Sequence, residues 1–321
     1  MKRWLSRSLS VAGPFLGLAL VIGLFSLDPS VRVHFLTYQN LKIILTQTVI
    51  VGVGALGMTL IIIGGGIDLS VGSVVALSSV VGALLLKAGV ATPLVILAVI
   101  ASGGVVGLAN GAAIAGLRMT PFIITLGTLG IARGTAKWLG DNQTVNYTTS
   151  PINRWMMSRP GSWGFPAGVW ITIGLACFTS LLLRRTVLGR HIFALGSNEA
   201  TARLCGIATG RLKVWVYALA GLFFGLAGLF ELSRLRQGDP TVAVGLELDI
   251  IAAVIIGGAS LSGGVGGVLG SMIGALIMSV LRNGSQQMGW PTYFQEIIIG
   301  AVIVLAVFID RWRHRRDQAV G

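Results

Sequence analysis

Few residues in this chain have the type and setting to do chemistry, and most of them are polar side chains set among apolar runs. Asp68 follows Gly64-Gly65-Gly66 and precedes Leu69-Ser70-Val71, with a long apolar run on either side. A carboxylate at mid-membrane costs roughly 2.5–3.5 kcal/mol on insertion scales, and is tolerated when paired or facing water. Two readings follow: Asp68 caps the first amides of the next helix near the inner surface, or it lines a polar path. Ser70, Asn110, Thr120, Thr125 and Thr128 also lie in or beside apolar runs, where an amide or hydroxyl serves a passing solute or a neighbouring helix. Glu247 and Asp249 open a later run, a place where acidic side chains suit a helix N-terminus. Glu296 and Asp310, at opposite ends of the last run, read as interfacial. The candidate translocation path is therefore Asp68, Ser70, Asn110, Thr125, Glu247 and Asp249.

No catalytic set emerges. His34, His191 and His314 are far apart in loops or tails, which argues against a histidine-based triad or an intramembrane metal site. Cys177 and Cys205 have no metal-ligand spacing and no evident disulfide partner. There is no G-x-x-x-x-G-K-[S/T] phosphate loop, so energy from ATP would have to come from another chain.

The elements that position these residues are set by an extreme composition. Of 321 residues 54% are hydrophobic and 11% charged, with mean hydropathy +0.84, against roughly 25% charged in a soluble domain. A single water-soluble globule is excluded, because 24 basic and 11 acidic side chains cannot cover a surface of this size. Apolar runs fall at 11–27, 43–64, 69–86, 93–116, 121–139, 167–183, 214–232, 248–262, 265–281 and 294–309. These predict an all-α integral membrane protein of about ten transmembrane helices in one domain, residues 1–321. The first run is read as a span and not a signal core, since it is long and exits through Leu27-Asp28-Pro29.

The net charge of +13 fits cytoplasmic loops beside anionic lipid better than nucleic acid, because the basic residues are not interleaved with aromatics on one face. With both termini inside, fourteen of the 24 basic residues are interior, all but Arg118 packed into three segments, so both termini are expected in the cytoplasm. Residues 140–166, with Asn142, Asn146, Pro151, Pro160 and Trp163, form an expected external loop. Residues 184–213 are basic and carry Ala200, Ala202, Leu204 and Ile207 among polar neighbours, a pattern for a short amphipathic helix that docks a partner.

Sliding the chain by 192 residues places 65–84 over 257–276 with ten of the twenty positions identical, where chance gives about two. The copies lie six runs apart, so the repeat is parallel. Matching Gly-interrupted apolar segments in two halves point to a transport path, or to close packing of small residues between helices.

At the level of motifs the chain resembles the ribose-type permease subunits of ABC sugar importers, within the branched-chain amino acid and ribose permease superfamily. The resemblance rests on Gly65-Gly66-Ile67-Asp68-Leu69-Ser70-Val71-Gly72-Ser73, Asn110-Gly111, Thr120-Pro121-Phe122-Ile123-Ile124-Thr125-Leu126-Gly127-Thr128 and Ala132-Arg133-Gly134. In the second half it rests on Gly189-Arg190, Ala194-Leu195-Gly196-Ser197-Asn198-Glu199-Ala200, Gly206-Ile207, Glu247-Leu248-Asp249-Ile250-Ile251-Ala252-Ala253, Gly257-Gly258 and Leu261-Ser262-Gly263-Gly264. It implies a multi-pass subunit of the bacterial inner membrane that forms half of a channel, paired with an identical or similar second copy. A periplasmic or lipid-anchored sugar-binding protein would feed it and an ATP-binding cassette subunit would drive it, with ATP and magnesium held by that partner and no cofactor in this chain. It also implies that 184–213 is the coupling loop, with Gly196, Asn198, Glu199, Ala200, Arg203 and Gly206 at the ATPase contact. The expected activity is translocation of a monosaccharide or similar polyol by alternating access, with no enzymatic reaction of its own. Two rival classes are an ion-coupled secondary sugar carrier, which favours a mid-span acidic residue, and a membrane transferase, which needs a cluster of carboxylates or histidines.

Overall fold

The computed structural model describes residues 2–148, 150–156 and 164–319, and among them the chain is almost wholly helical. Helix is what an apolar chain must adopt where no water can satisfy backbone polar groups. In order the helices are α1 (Lys2–Ser26), α2 (Pro29–Phe35), α3 (Tyr38–Ile63), α4 (Val71–Lys87), α5 (Thr92–Leu117), α6 (Pro121–Leu139) and α7 (Ala167–Arg185). They continue as α8 (Val187–Ser197), α9 (Glu199–Leu204), α10 (Thr209–Leu235), α11 (Leu246–Ile256), α12 (Val268–Gln287) and α13 (Thr292–Ala319). Each of the ten apolar runs falls on one of these helices. Among the described residues α3, α5, α7, α10 and α12 are long and apolar enough to cross a membrane, and Ala12–Ser26, α4 and Thr292–Leu305 are shorter apolar helices. The eighth run makes only the 11-residue α11, about 17 Å long at 1.5 Å per residue and short of the roughly 30 Å hydrocarbon core. Gly257 and Gly258 end it although the composition stays apolar.

The core is built around α3, whose Leu56, Leu60, Ile62 and Ile63 are inaccessible, packed with Phe224 and Phe230 of α10. The most extensive helix pair is α5 with α10, where glycines at four-residue spacing bring backbones together. A Cβ on Gly103 would overlap the Gly221 carbonyl oxygen and lie 2.5 Å from Gly225 N, and one on Gly107 would overlap the Tyr217 carbonyl. This is the small-xxx-small contact of membrane helices. The other flanks of α5 and α7 expose Leu94, Leu97, Val105, Trp170 and Phe178, as lipid-facing surfaces do.

The expected external loop is a folded cap on the end of α10. Its two-residue strand β1 (Val145–Asn146) pairs antiparallel with β2 (Gln237–Gly238). Ser233 Oγ donates to the Ile152 carbonyl at 2.7 Å and accepts from Met156 N at 3.2 Å. Pro160 and Trp163 of this loop lie outside the described residues.

Two helix–break–helix segments, α3–α4 and α11–α12, lie in the stretches that the sequence match pairs. α3 is followed by Gly65 with φ 81° and α11 by Gly258 with φ 92°, left-handed positions that glycine takes without strain. These glycines and the starts of α4 and α12 do not keep the single 192-residue register of the sequence match.

Candidate functional site: two helix breaks and the elbow that joins them

The first break, residues 64–70, turns back into the bundle instead of leaving it. A Cβ on Gly54 would overlap Ile250 Cδ1 and lie 3.9 Å from Val71 Cγ2. The start of α4 is thus level with a point nine residues before the end of α3, about 13 Å deep. Asp68, expected near the inner surface, is inside the protein and 1% exposed. Its Oδ1 accepts from Ser70 N at 2.8 Å and Ser70 Oγ at 2.6 Å, the local cap. Its Oδ2 accepts from Asn110 Nδ2 of α5 at 3.3 Å. Asn110 also donates to Ser70 Oγ at 3.1 Å and accepts from Thr128 Oγ1 of α6 at 2.6 Å. Thr125 of α6 and Tyr217 of α10 both donate to the Ile67 carbonyl, at 3.4 and 3.3 Å. Ser70, Asn110 and Thr125 are all buried. The carboxylate and its hydroxyl and amide partners therefore tie the irregular backbone to three helices.

The second break, between α11 and α12, meets the first directly. Gly264 N donates to the Ile63 carbonyl at 2.8 Å, satisfying the last turn of α3. Against this junction lies the end of α8. A Cβ on Gly196 would overlap that same Ile63 carbonyl and come within 2.6 Å of Gly264 N, while one on Gly263 would lie 2.9 Å from Gly65 Cα. Three backbones touch at one point, and only glycine permits it.

From that point α8 and α9 form an elbow. Thr186 Oγ1 caps α8 by accepting from Gly189 N at 3.1 Å, and Asn198 Oδ1 caps α9 by accepting from Thr201 N at 2.9 Å. Glu199 holds Lys213 of α10 at 2.8 Å and Arg203 at 3.3 Å. Partial burial pushes the Glu199 carboxyl up, but the two cations outweigh it and hold the group below its ordinary range. Ala202 faces inward, whereas Ala200, Arg203 and Gly206 are exposed and Leu204 is 89% exposed. Leu204 is thus an almost bare apolar side chain at the tip of an anchored helix.

The carboxylates that open α11 go to different places. Glu247 lies against the start of α4, where a Cβ on Gly72 would overlap one of its oxygens and the Ala243 carbonyl. The irregular stretch before it is held by Arg133 of α6, whose Nη1 donates to the carbonyls of Pro240 at 2.9 Å and Val242 at 2.6 Å. Asp249 is 1% exposed and pairs with Arg282 of α12 at 2.6 Å. It lines a polar cavity of about 220 Å³ among α3, α10, α11 and α12. Of the six candidate path residues, four form the Asp68 network, Asp249 joins the cavity and Glu247 lines neither.

Residues 40–307 match the family described as branched-chain amino acid transport system / permease component. The chain belongs to this permease family. Ribose import permease protein RbsC of Escherichia coli K12 is 40% identical over 314 residues, 96% of this chain and 95% of the relative. The RbsC of Bacillus subtilis 168 is 41% identical over 301 residues, 93% of this chain and 92% of the relative. The L-arabinose ABC transporter permease protein AraH of Azospirillum brasilense is 36% identical over 288 residues, 89% and 84% of the two chains. No solved structure matches. The permease is thus of the ribose-type sugar ABC class and is a multi-pass membrane protein. Sequence reasoning did not single out Arg133, Tyr217 or Arg282 as functional. Arg133 stands in a motif of the resemblance without a role, and the only signal for Tyr217 and Arg282 is a polar side chain within or at the edge of an apolar run.

Proposed function

We propose that this chain is the membrane-spanning subunit of an ATP-driven importer for a monosaccharide or similar small polyol, working by alternating access. The relatives named as ribose and L-arabinose permeases support the cargo class. An importer of this kind requires an ATP-binding cassette subunit, an external sugar-binding protein and a second permease copy, identical or similar. Both termini and the α8–α9 elbow face the cytoplasm in this reading, and the chain itself performs no chemistry.

The observation that carries it is the contact of Gly196 with both helix breaks. A partner that grips the exposed Leu204 and Arg203 face of α9 moves α8 as a lever. The α8 end has no side chain to yield at Gly196, so displacement passes to the backbones of both breaks and tilts the helices they join. In the same reading Asp68, Ser70, Asn110 and Thr125 position the first break, and Asp249 contributes to the solute route. Binding along that route is weak, because conduction fails when a site holds its cargo tightly.

The test is a detergent pull-down of the ATP-binding cassette partner by the wild type and by a variant in which residues 198–206 are a flexible linker, at matched expression. Capture by the wild type alone supports the assignment. Equal capture by both removes the elbow from the coupling role, and capture by neither overturns the ATP-driven reading.

A further inference from the structure

The flank of the bundle formed by α7 and α12 is not closed. On α7 the side chains of Ile173, Ala176, Cys177, Ser180, Leu181 and Arg184 recur at three- and four-residue steps and share one face. Leu269 and Met272, from the first turns of α12, stand opposite, and the space between is a cleft of about 510 Å³. It exists because Ala176, Cys177 and Ser180 are small, and because Met272 is drawn back onto α3, where a Cβ on Gly52 would lie 3.0 Å from its Cε. Ile173, Leu181 and Leu269 are about half exposed along it, so its open side belongs to the lipid.

One end of this cleft is charged. Arg184 and Arg185, both exposed in the last turn of α7, stand at its mouth. Among the described residues neither is in an ion pair; the four pairs use Arg203, Lys213, Arg234 and Arg282. No acidic residue lines the cleft, nor the smaller one that continues past Arg184 to Gly257, Gly258 and Gly266 of the second break. From Ile173 to Arg184 is eleven positions, about 16 Å along the helix and close to half of the roughly 30 Å hydrocarbon core. An apolar groove one leaflet deep that ends on two unneutralised cations has the form of a seat for a single lipid.

We propose that this cleft binds one anionic phospholipid, with an acyl chain between α7 and α12 and the phosphate at Arg184 and Arg185. Charge selects the headgroup: guanidinium groups take phosphate oxygens in charge-assisted hydrogen bonds, and basic pockets between membrane helices favour anionic lipid. A zwitterionic headgroup brings its own cation to the same place and gains less. A second copy of the chain fits poorly, because two such faces joined about a twofold axis bring four arginines together with no acid between them. The seat is also placed to matter, since α7 runs through Thr186 directly into α8, and the lipid grips the root of the elbow. With the elbow in the cytoplasm, which is the reading proposed above, the lipid belongs to the inner leaflet.

The test is native mass spectrometry of the full chain released from detergent, titrated with phosphatidylglycerol or with phosphatidylcholine of the same acyl chains. The first phosphatidylglycerol is expected to bind roughly thirtyfold tighter than the first phosphatidylcholine, the preference that two basic side chains at a membrane surface confer. Arg184→Gln with Arg185→Gln removes most of that preference. Arg190→Gln with Arg211→Gln, the same loss of charge on exposed residues outside the cleft, leaves it. Cys177→Trp fills the groove from an exposed position and keeps both arginines. It weakens the first phosphatidylglycerol roughly tenfold, the loss of about two methylenes of chain burial. Equal affinity for the two lipids, a preference that outlasts the loss of Arg184 and Arg185, one that falls as far with Arg190 and Arg211, or binding unmoved by Cys177→Trp overturns the proposal. A wild-type dimer that Cys177→Trp splits also overturns it, and makes the cleft a contact between copies. Binding is read on the permease alone, so a failed capture of the ATP-binding cassette subunit leaves the lipid seat standing, and a failed lipid titration leaves the importer reading standing.

Discussion

Asp249 and Arg282 form a nearly isolated pair, 2% and 37% exposed at their side chains, each with one polar atom left open. Removing Asp249 leaves the Arg282 charge without its partner, and because Arg282 is 37% exposed, solvent screens it, so the loss stays below the roughly 3–5 kcal/mol of a fully buried pair, whereas replacing both partners with apolar residues is often neutral. Asp249→Leu alone is therefore expected to lower the melting temperature in detergent markedly. Asp249→Leu with Arg282→Met recovers most of it, and a double mutant no better than the single removes the pair from the stability of the outer end. The sequence marks Asp249 because a carboxylate opening an apolar run is visible locally. Its partner is not visible, since Arg282 lies on another helix and nothing in spacing links them. Asp68 divides the same way. Its bond to Ser70 follows from two-residue proximity, but the bond to Asn110 exists only because α5 packs behind the break. Burial at 1% puts the carboxylate inside the bundle, which local sequence does not reveal.

At the scale of elements, composition marks each helix because lipid enforces a wide apolar surface, and all ten runs become helical. Composition is blind to where a helix stops inside an apolar run. The run at 248–262 continues past Ile256, yet α11 ends at the Gly257 cap, a backbone event invisible to hydropathy. The α5–α10 contact is equally hidden, because Gly103, Gly107 and Gly221 read as small residues until their partners are known. Gly107→Leu is expected to separate these helices, since even a Cβ meets the Tyr217 carbonyl and lies 2.9 Å from Gly221 Cα, both backbone atoms that cannot rotate away. The expected result is loss of the folded, monodisperse peak in detergent chromatography. Gly116→Leu, which has open space at the same helix's far end, keeps it, and equal behaviour of the two variants refutes the close-packing account.

At the scale of the whole molecule, the proposed coupling makes docking and transmission separable, because they would use different atoms of one elbow. Leu204 is 89% exposed, so in the proposed reading its contribution is to the partner. Gly196 is turned the other way, into the Ile63 carbonyl and Gly264 N, so its contribution is to the two breaks alone. Leu204→Asp should abolish capture of the ATP-binding cassette subunit while the permease folds normally, because a charge replaces an apolar contact at a surface. Gly196→Ala should do the opposite: the added methyl pushes α8 away from the junction, the ATPase still binds and hydrolyses ATP, and uptake falls at least tenfold if the junction carries about 1.4 kcal/mol or more of the coupling. Between them lies Glu199, which ties α9 to α10 through Lys213 and keeps the lever stiff. If Gly196→Ala instead loses the partner together with uptake, the elbow is a docking site only, and the route from ATP to the helix breaks must run through another contact. If it loses neither, α8 moves with the bundle as one body and the breaks open without it.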